Sequence, residues 1–404
     1  MIRVMPSAVE AAGALAPRVA ALAPVSEAER RIPAELSAEI AAAGLYRLCV
    51  PGSLDGGEVP PADLLGAVEA LSAGDAAAGW CVAVCATSGM LAAYLDPERA
   101  AEVYAEPASV SGGVFAPSGR AVVVDDRLEL TGRWRFASNV DNCDWLMGGC
   151  IVFDGDSPRT LASGRPDVRL CLFPAGDAEV IDTWTVSGLR ATGSHDIAVN
   201  RLTVPVARSA SLITDSPREA GPLYAFPPFG LLAASIAAVT LGIARAALED
   251  LVDLAGAKTP TLSARKLAER AATQAGVARA EAAMRAGRAL LFAAVDEAWA
   301  AARQGGAIPI ALRVGLRLAA THAVEASAVA VDEAYGLAGG SAIYETSPLQ
   351  RRFRDVHAAT QHMLVGPATW ELSGRSLLGQ GDDSDTERRL DRRAAEIERY
   401  ASAG

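Results

Sequence analysis

The sequence predicts an α+β protein in three parts: a helical domain over residues 1–110, a central β-domain over 111–205, and a four-helix bundle with a charged tail over 206–404. Three observations carry this expectation. Apolar residues recur at helical spacing in 9–22, 36–45, 64–71 and 76–95, alternate from about 111 to 205, then return to helical spacing in 230–256, 263–303, 308–337 and 348–378. Pro205 and a proline-rich linker at 222–228 punctuate the second change of period. A chain of 404 residues with 51% hydrophobic content is too long for one small core and has material for two or three layers.

In the alanine-rich first part, proline- and glycine-containing loops separate the helices, among them Val50-Pro51-Gly52-Ser53-Leu54-Asp55-Gly56-Gly57. In the second, Val122-Val123-Val124-Asp125-Asp126-Arg127-Leu128-Glu129-Leu130 reads as a hairpin, with β-branched and apolar residues flanking two aspartates. Further strands are expected at 146–152, 169–173 and 198–204, and Pro205 closes the β-domain. In the third part the most apolar run, 231–244, contains Ser235, Thr240 and Gly242 and stops at Arg245. It predicts a central core helix whose apolar run falls short of crossing a bilayer. The tail at 382–400 mixes charges of both signs. Arg392 and Glu396 form a favourable i, i+4 pair and Glu387 and Asp391 an unfavourable one, so a solvated helix or frayed end is expected.

A net charge of −11 and the lack of a basic cluster interleaved with aromatics disfavour binding to nucleic acid or to an anionic membrane surface. The six cysteines, Cys49, Cys81, Cys85, Cys143, Cys150 and Cys171, show neither CxxC nor zinc spacing. They read as buried small hydrophobes in a reducing compartment; no metal is assigned. The N-terminus has no uninterrupted apolar core of the kind a signal peptide needs, and a cytoplasmic location is expected. There is no GxGxxG after a strand, no Walker loop and no internal repeat.

Gly339, Gly340, Pro348, Arg354 and Asp355 stand at the offsets of the C-terminal helix of the acyl-CoA dehydrogenase superfamily, which this segment resembles. Three further stretches are similar to that superfamily. These are the Val50–Gly57 loop, Ser111-Gly112-Gly113-Val114-Phe115-Ala116-Pro117-Ser118-Gly119, and Asp182-Thr183-Trp184-Thr185-Val186-Ser187-Gly188-Leu189-Arg190-Ala191-Thr192-Gly193-Ser194-His195. The resemblance covers nearly the whole chain and implies an acyl-CoA dehydrogenase-like fold. It also excludes that superfamily's commonest chemistry. The dehydrogenases place a proton-abstracting glutamate nine residues past the arginine, where this chain has Met363, and some use an earlier helix, where it has Leu232. A thioether takes no proton from an acyl-CoA α-carbon at neutral pH, whereas a histidine exchanges one readily, and His362 adjoins the vacant position.

Within the superfamily this substitution resembles the two-component flavin-dependent monooxygenases (group D), which attack aromatic substrates with a flavin C4a-hydroperoxide. The segment Gly132-Arg133-Trp134-Arg135-Phe136-Ala137-Ser138-Asn139 resembles the stretch that lies against the flavin there. By that resemblance Trp134 and Phe136 would wall the ring, and Ser138 would sit beside N5 and steady the hydroperoxide. Ala116, Pro117, Gly339 and Gly340 would let backbone approach the cofactor. Ser138-Asn139 departs from the usual Ser-Gly pair.

Related hydroxylases hold a tryptophan over the flavin and a substrate-facing histidine eight residues later; this chain keeps Trp80 but has Ser88. Ser88 and His362 are the candidate substrate contacts, and Ser138 and His362 the candidate catalytic pair. His357 lies five residues before His362 and points to another face of a straight helix, while His195 and His322 read as structural or surface residues.

The resemblance implies an oxygenase component that takes reduced FAD, or alternatively reduced FMN, from a separate reductase. It would use molecular oxygen to hydroxylate a small phenol or indole and assemble as a homotetramer. The lack of a nicotinamide fingerprint agrees with a separate reductase, and Lys258 and Arg265 are candidates for the flavin phosphates. Rival readings are an acyl-CoA dehydrogenase with a displaced base, an amine or amino-sugar N-oxygenase on the same fold, and a helical assembly protein without catalysis.

Overall fold

The fold is described from a computed structural model of the chain, which covers residues 7–380 and Thr386. The first part comprises α1 (Ala8–Glu29), α2 (Ala34–Ala42), α3 (Pro61–Gly74), α4 (Ala76–Ser88) and α5 (Pro97–Tyr104). Ser7 starts α1 with a capping box to Glu10, and Asp75 caps α4 through the Ala77 amide. α4 is buried almost all round, wedged between the sheet and the long helices, and this is what fixes Trp80 and Ser88 near the centre of the molecule.

The β-domain is one eight-stranded sheet. Its strands are β1 (Ser111–Val124), β2 (Arg127–Ala137), β3 (Trp145–Asp154), β4 (Ser157–Pro158), β5 (Val168–Pro174), β6 (Glu179–Ile181), β7 (His195–Pro205) and β8 (Ser209–Ala210). The order is β6-β7-β2-β1-β3-β5-β8, with β4 beside β3; β1 and β3 run parallel and the other pairs antiparallel. The expected hairpin forms with Val124 opposite Arg127, and Asp125 takes the left-handed conformation in the two-residue turn (φ 54°). β8 lies beyond Pro205, so the sheet draws one short strand from the connection that follows it.

The third part contains α6 (Pro222–Ala225), α7 (Pro228–Ala257), α8 (Ala271–Gln304), α9 (Ile310–Ala338), α10 (Pro348–Thr360) and α11 (Ala368–Leu377). α7 is central, packing against α9, α10, α3 and α4. It is 30 residues long, so the expectation that its apolar run falls short of a bilayer's thickness does not hold. By length and composition it is one of four stretches among the described residues able to cross a membrane, but 89% of its apolar window is covered by the rest of the fold. The apolar face is spent on the core, which also takes in Trp134, Phe173, Phe226 and Leu291.

One expected helix, 348–378, is two. α10 stops at Thr360, and residues 363–365 form a single 3-10 turn before α11. Pro367 rules out a single helix through this stretch, since it offers no amide to continue the ladder and its ring would collide with the Met363 carbonyl. The tail pairs expected at 387–396 lie outside the described residues.

Candidate active site

Ser138 follows the last residue of β2 at the junction of the sheet with α4. Its hydroxyl is buried and accepts the indole N–H of Trp80 (Nε1 to Oγ, 3.1 Å). The same hydroxyl meets Ser194 Oγ at 2.7 Å, Ser194 meets Thr192 Oγ1 at 2.6 Å, and Thr192 donates to the Leu189 carbonyl at 2.9 Å. Asn139 follows in the left-handed conformation (φ 62°), its amide donating to the Thr192 carbonyl at 2.7 Å. Asparagine is among the few residues other than glycine that take this conformation readily, so the departure from Ser-Gly leaves the backbone path intact.

The ring of His362 stands edge-on to Trp80, centroids 5.8 Å apart. His362 is not on a helix, as the sequence reading had it. It caps the 3-10 turn after α10, with Nδ1 accepting the Leu364 amide at 3.2 Å. With Nδ1 engaged as an acceptor, the neutral ring carries its proton on Nε2. Desolvation, with the nearby Arg317 charge adding to it, pushes the imidazole pKa down to about 4. At neutral pH His362 is therefore uncharged and presents a donor.

The loop that carries Leu189, Thr192 and Ser194 is docked on α10. Asp355 Oδ1 accepts the Leu189 amide at 2.7 Å, Arg354 donates to the Ser187 carbonyl and pairs with Glu27, and Gly188 lies flat against the helix backbone. A Cβ at Gly188 would sit 2.1 Å from the Arg354 carbonyl oxygen, so no larger residue fits there. Burial, with the Asp75 charge adding to it, raises the Asp355 carboxyl pKa to about 7. On the loop's other side His195 Nδ1 accepts the Thr183 and Trp184 amides at 3.3 and 3.2 Å, which makes His195 a structural histidine.

Trp134 does not wall this site. It is fully buried in the sheet, its indole N–H donating to the Gly149 carbonyl at 2.7 Å and its ring lying over Gly119, Gly132 and Gly148. A register shift between Trp134 and Ala137 breaks the alternation that would put Trp134, Phe136 and Ser138 on one face, and Trp134 stays on the core side. Phe136 is turned outward by a register shift between Trp134 and Ala137. It is 66% exposed, holds a left-handed φ of 68°, and among the rings of the described residues meets the edge of Trp184 at 5.9 Å. A bulky residue in that conformation is strained.

Ala116 and Pro117 lie in the irregular part of β1 between Val114 and Gly119, with the Ala116 backbone over Gly149. Gly339 and Gly340 sit exposed beyond the end of α9, where Lys258 Nζ donates to the Ala338 carbonyl at 2.8 Å. Nothing in their contacts joins these four residues to Trp80, Ser138 or His362. Arg265 is exposed in the loop before α8. Ser88 is fully buried at the end of α4, and its hydroxyl has no partner among the described residues. His357 is a half-exposed residue paired with Asp332 at 2.8 Å, and His322 lies edge-on to Trp370.

Sequence reasoning missed the roles of Thr192, Ser194 and Asp355 in supporting Ser138, and missed Arg317, buried on α9 and acting on His362. Thr192 and Ser194 alternate around Gly193 in a turn, a spacing without a periodic signal. A cavity of about 220 Å³ opens between the start of α7 and α9, with Leu212, Phe229, Gly230, Ile308, Arg313 and Arg317 among its lining.

These residues suit a reduced flavin. Ser138 offers a small hydroxyl, Phe136 an outward aromatic face, and Trp80 and His362 a pair of rings beside that hydroxyl, while both base positions of the dehydrogenases, Leu232 and Met363, are apolar.

Comparison with known proteins agrees. Residues 234–367 match the acyl-CoA dehydrogenase C-terminal domain. The chain is 33% identical to indole-3-acetate monooxygenase of Pseudomonas putida over 356 residues, which is 87% of this chain and 88% of that protein. The crystal structure of the HsaA monooxygenase from M. tuberculosis superimposes with a TM-score of 0.86 at 26% identity, covering 95% of this chain and all of that one. XiaF from Streptomyces sp., solved in complex with FADH2 and glycerol, gives 0.84 at 27% identity over 92% and 95% of the two chains. With this fold, a Trp80–Ser138–His362 cluster in place of a dehydrogenase carboxylate, and a relative one-third identical over most of its length, the chain belongs to the flavin-dependent monooxygenases of the acyl-CoA dehydrogenase superfamily.

Proposed function

We infer that the protein is the oxygenase component of a two-component flavin-dependent monooxygenase, hydroxylating a small aromatic or heteroaromatic ring of the indole or phenol type. A separate reductase supplies reduced flavin, and molecular oxygen is the co-substrate. Bound reduced flavin supplies two electrons, so that one oxygen atom of O2 enters the substrate and the other leaves as water. The observation that carries the reading is the convergence of Trp80, Ser138 and His362 where neither base position bears a carboxylate.

Each residue has a task in this proposal. Ser138 holds the reacting edge of the ring system, and Trp80 fixes Ser138 and walls the cleft. His362, neutral and protonated on Nε2, donates a hydrogen bond to substrate or to reacting oxygen instead of acting as a base. Phe136 lies against the flavin, and the unpartnered Ser88 hydroxyl meets a polar group of the substrate. The indole-3-acetate monooxygenase of P. putida supports an indole as substrate, and the FADH2 complex of XiaF supports FAD over FMN.

A homotetramer is supported by apolar residues left exposed on the third part, among them Leu290, Val329, Ile343, Tyr344, Leu377 and Leu378. Six buried thiols support a reducing, cytoplasmic location. The test is to mix the protein with chemically reduced FAD, oxygen and indole. Hydroxylated indole with slowed release of peroxide is expected. Reoxidation of the flavin at its free-solution rate with protein in excess, and no product from indole or from a phenol, would overturn the reading.

A further inference from the structure

The contacts among Trp80, Ser138, Ser194, Thr192 and Leu189 form one file with a fixed direction. An indole N–H only donates, and a backbone carbonyl only accepts. Trp80 Nε1 therefore gives its proton to Ser138 Oγ at one end, and Leu189 O takes a proton from Thr192 Oγ1 at the other. Were Thr192 to turn its proton toward Ser194, two oxygens 2.9 Å apart would face each other with no hydrogen between them. With its single proton committed to Leu189, Thr192 must accept from Ser194 at 2.6 Å, and Ser194, its own proton spent, must accept from Ser138 at 2.7 Å. The two contacts that geometry leaves ambiguous are thus resolved. The Leu189 end is itself held, since its amide donates to Asp355 at 2.7 Å and its carbonyl also accepts Trp184 Nε1 at 3.1 Å.

A hydroxyl has one proton and two lone pairs. In Ser138 the proton points to Ser194 and one lone pair to Trp80, so what remains for a ligand is an acceptor. The geometry points to Thr192 and Ser194 as positioning residues: they lock Ser138 so that it presents a lone pair, and never a proton, to the ligand. This rests on the functional reading above in taking the ligand to be flavin, whose two redox forms differ at the relevant atom. Reduced flavin carries N5–H, a donor that suits the lone pair; oxidised flavin has a bare N5, whose lone pair would face another. The file is thereby a selector for the reduced cofactor that a separate reductase delivers.

Dissociation constants for oxidised FAD and, under anaerobic conditions, for chemically reduced FAD test this without turnover. The wild-type protein should bind the reduced form at least tenfold more tightly. Ser194→Ala frees the Ser138 proton to turn outward, and Thr192→Val frees that of Ser194 to turn back on Ser138. Each should cut the preference about tenfold, equivalent to lowering the two-electron potential of bound flavin by about 30 mV. Thr192→Ser should keep it. In a Ser138→Ala background, Ser194→Ala should change the ratio no further, since its effect passes through Ser138. Loss of affinity for both redox forms in equal proportion, or an unchanged ratio in Ser194→Ala and Thr192→Val alike, would overturn the inference and leave the functional reading standing. A wild-type protein that binds neither form would sink both.

Discussion

Asp355 Oδ1 accepts the backbone N–H of Leu189 at 2.7 Å, joining α10 to the loop that supports Ser138. The Arg-Asp pair and the Ser-Gly-Leu-Arg run, read separately in the sequence, are the two halves of one joint. Gly188 permits the contact, Arg354 grips the Ser187 carbonyl, and Asp355 fixes Leu189, whose carbonyl ends the hydroxyl file. Met363, in the turn beyond α10, supplies no base, while Arg354 and Asp355 on α10 hold the loop.

Asp355→Asn should relieve a burial cost while keeping an acceptor for Leu189. Burial and the Asp75 charge raise the folded-state pKa to about 7 from an ordinary 3.8. Between those values the folded protein binds more protons than the unfolded one, so wild-type stability falls as pH rises from about 4 to 7 and then levels off. The amide has no such dependence. Its advantage should therefore grow by about tenfold in the folding constant per pH unit across that window. Asp355→Ala, which also has no ionisable group but leaves the Leu189 amide unpaired, should lie about 1–3 kcal/mol below Asp355→Asn at every pH. Denaturant unfolding at pH 5 and pH 8 checks both variants. An asparagine variant that weakens further at pH 8 would mean that Arg351 and Arg354 hold the group ionised.

Phe136→Gly should stabilise the free protein and weaken its grip on flavin. The left-handed backbone at Phe136 costs about 1–3 kcal/mol for a bulky side chain and little for glycine, and the 66% exposed ring gives up only its edge contact with Trp184. Melting temperature and flavin affinity should move in opposite directions. A variant that melts lower with unchanged affinity would make Phe136 part of the loop packing and nothing more.

Much of this was legible because it follows a period. The hairpin at Asp125-Asp126, the strands of the sheet and the long helices α7 and α9 announce themselves through alternation or helical spacing, and Trp80 and Ser138, singled out by motif, meet in the structure. The errors fell where a side chain's direction or a chain break decides the outcome. Trp134 shares a motif and a strand parity with Phe136 and Ser138, yet the register shift that follows it leaves Trp134 in the core against Gly148. His362 was placed on a continuous helix because 348–378 keeps its amphipathic pattern, while Pro367 cuts that helix and turns His362 into a cap facing Trp80. Thr192 and Ser194 act through contacts distant in sequence, which no local pattern encodes.

Ser138→Ala should fold normally and waste reduced flavin. Removing one hydroxyl deletes a single hydrogen bond to the bound ring system, about 1–3 kcal/mol, enough to shift the partition between product and hydrogen peroxide by about tenfold to a hundredfold. Peroxide released per flavin oxidised is the quantity to compare. Unchanged coupling would leave Ser138 a residue whose hydroxyl serves only Trp80 and Ser194.

His362→Ala should lower hydroxylation by about one to three orders of magnitude and leave flavin affinity nearly intact, the pattern for a group that acts on the reacting atoms. His357→Ala is the control, because that residue is paired with Asp332 on the surface. The pH dependence separates a donor from a base. With a folded pKa near 4, His362 stays neutral from about pH 5.5 to 8, so the wild-type rate should show no ionisation of this residue across that range. Stability gives the complementary sign. The unfolded chain takes up a proton near pH 6.5 that the folded ring refuses until about 4, so stability should decline as pH falls through that window, and His362→Ala should flatten the decline. A rate that rises through an ionisation at pH 6 to 7 in the wild type and loses that step in His362→Ala would restore the histidine to the role of base and place its available lone pair on Nε2.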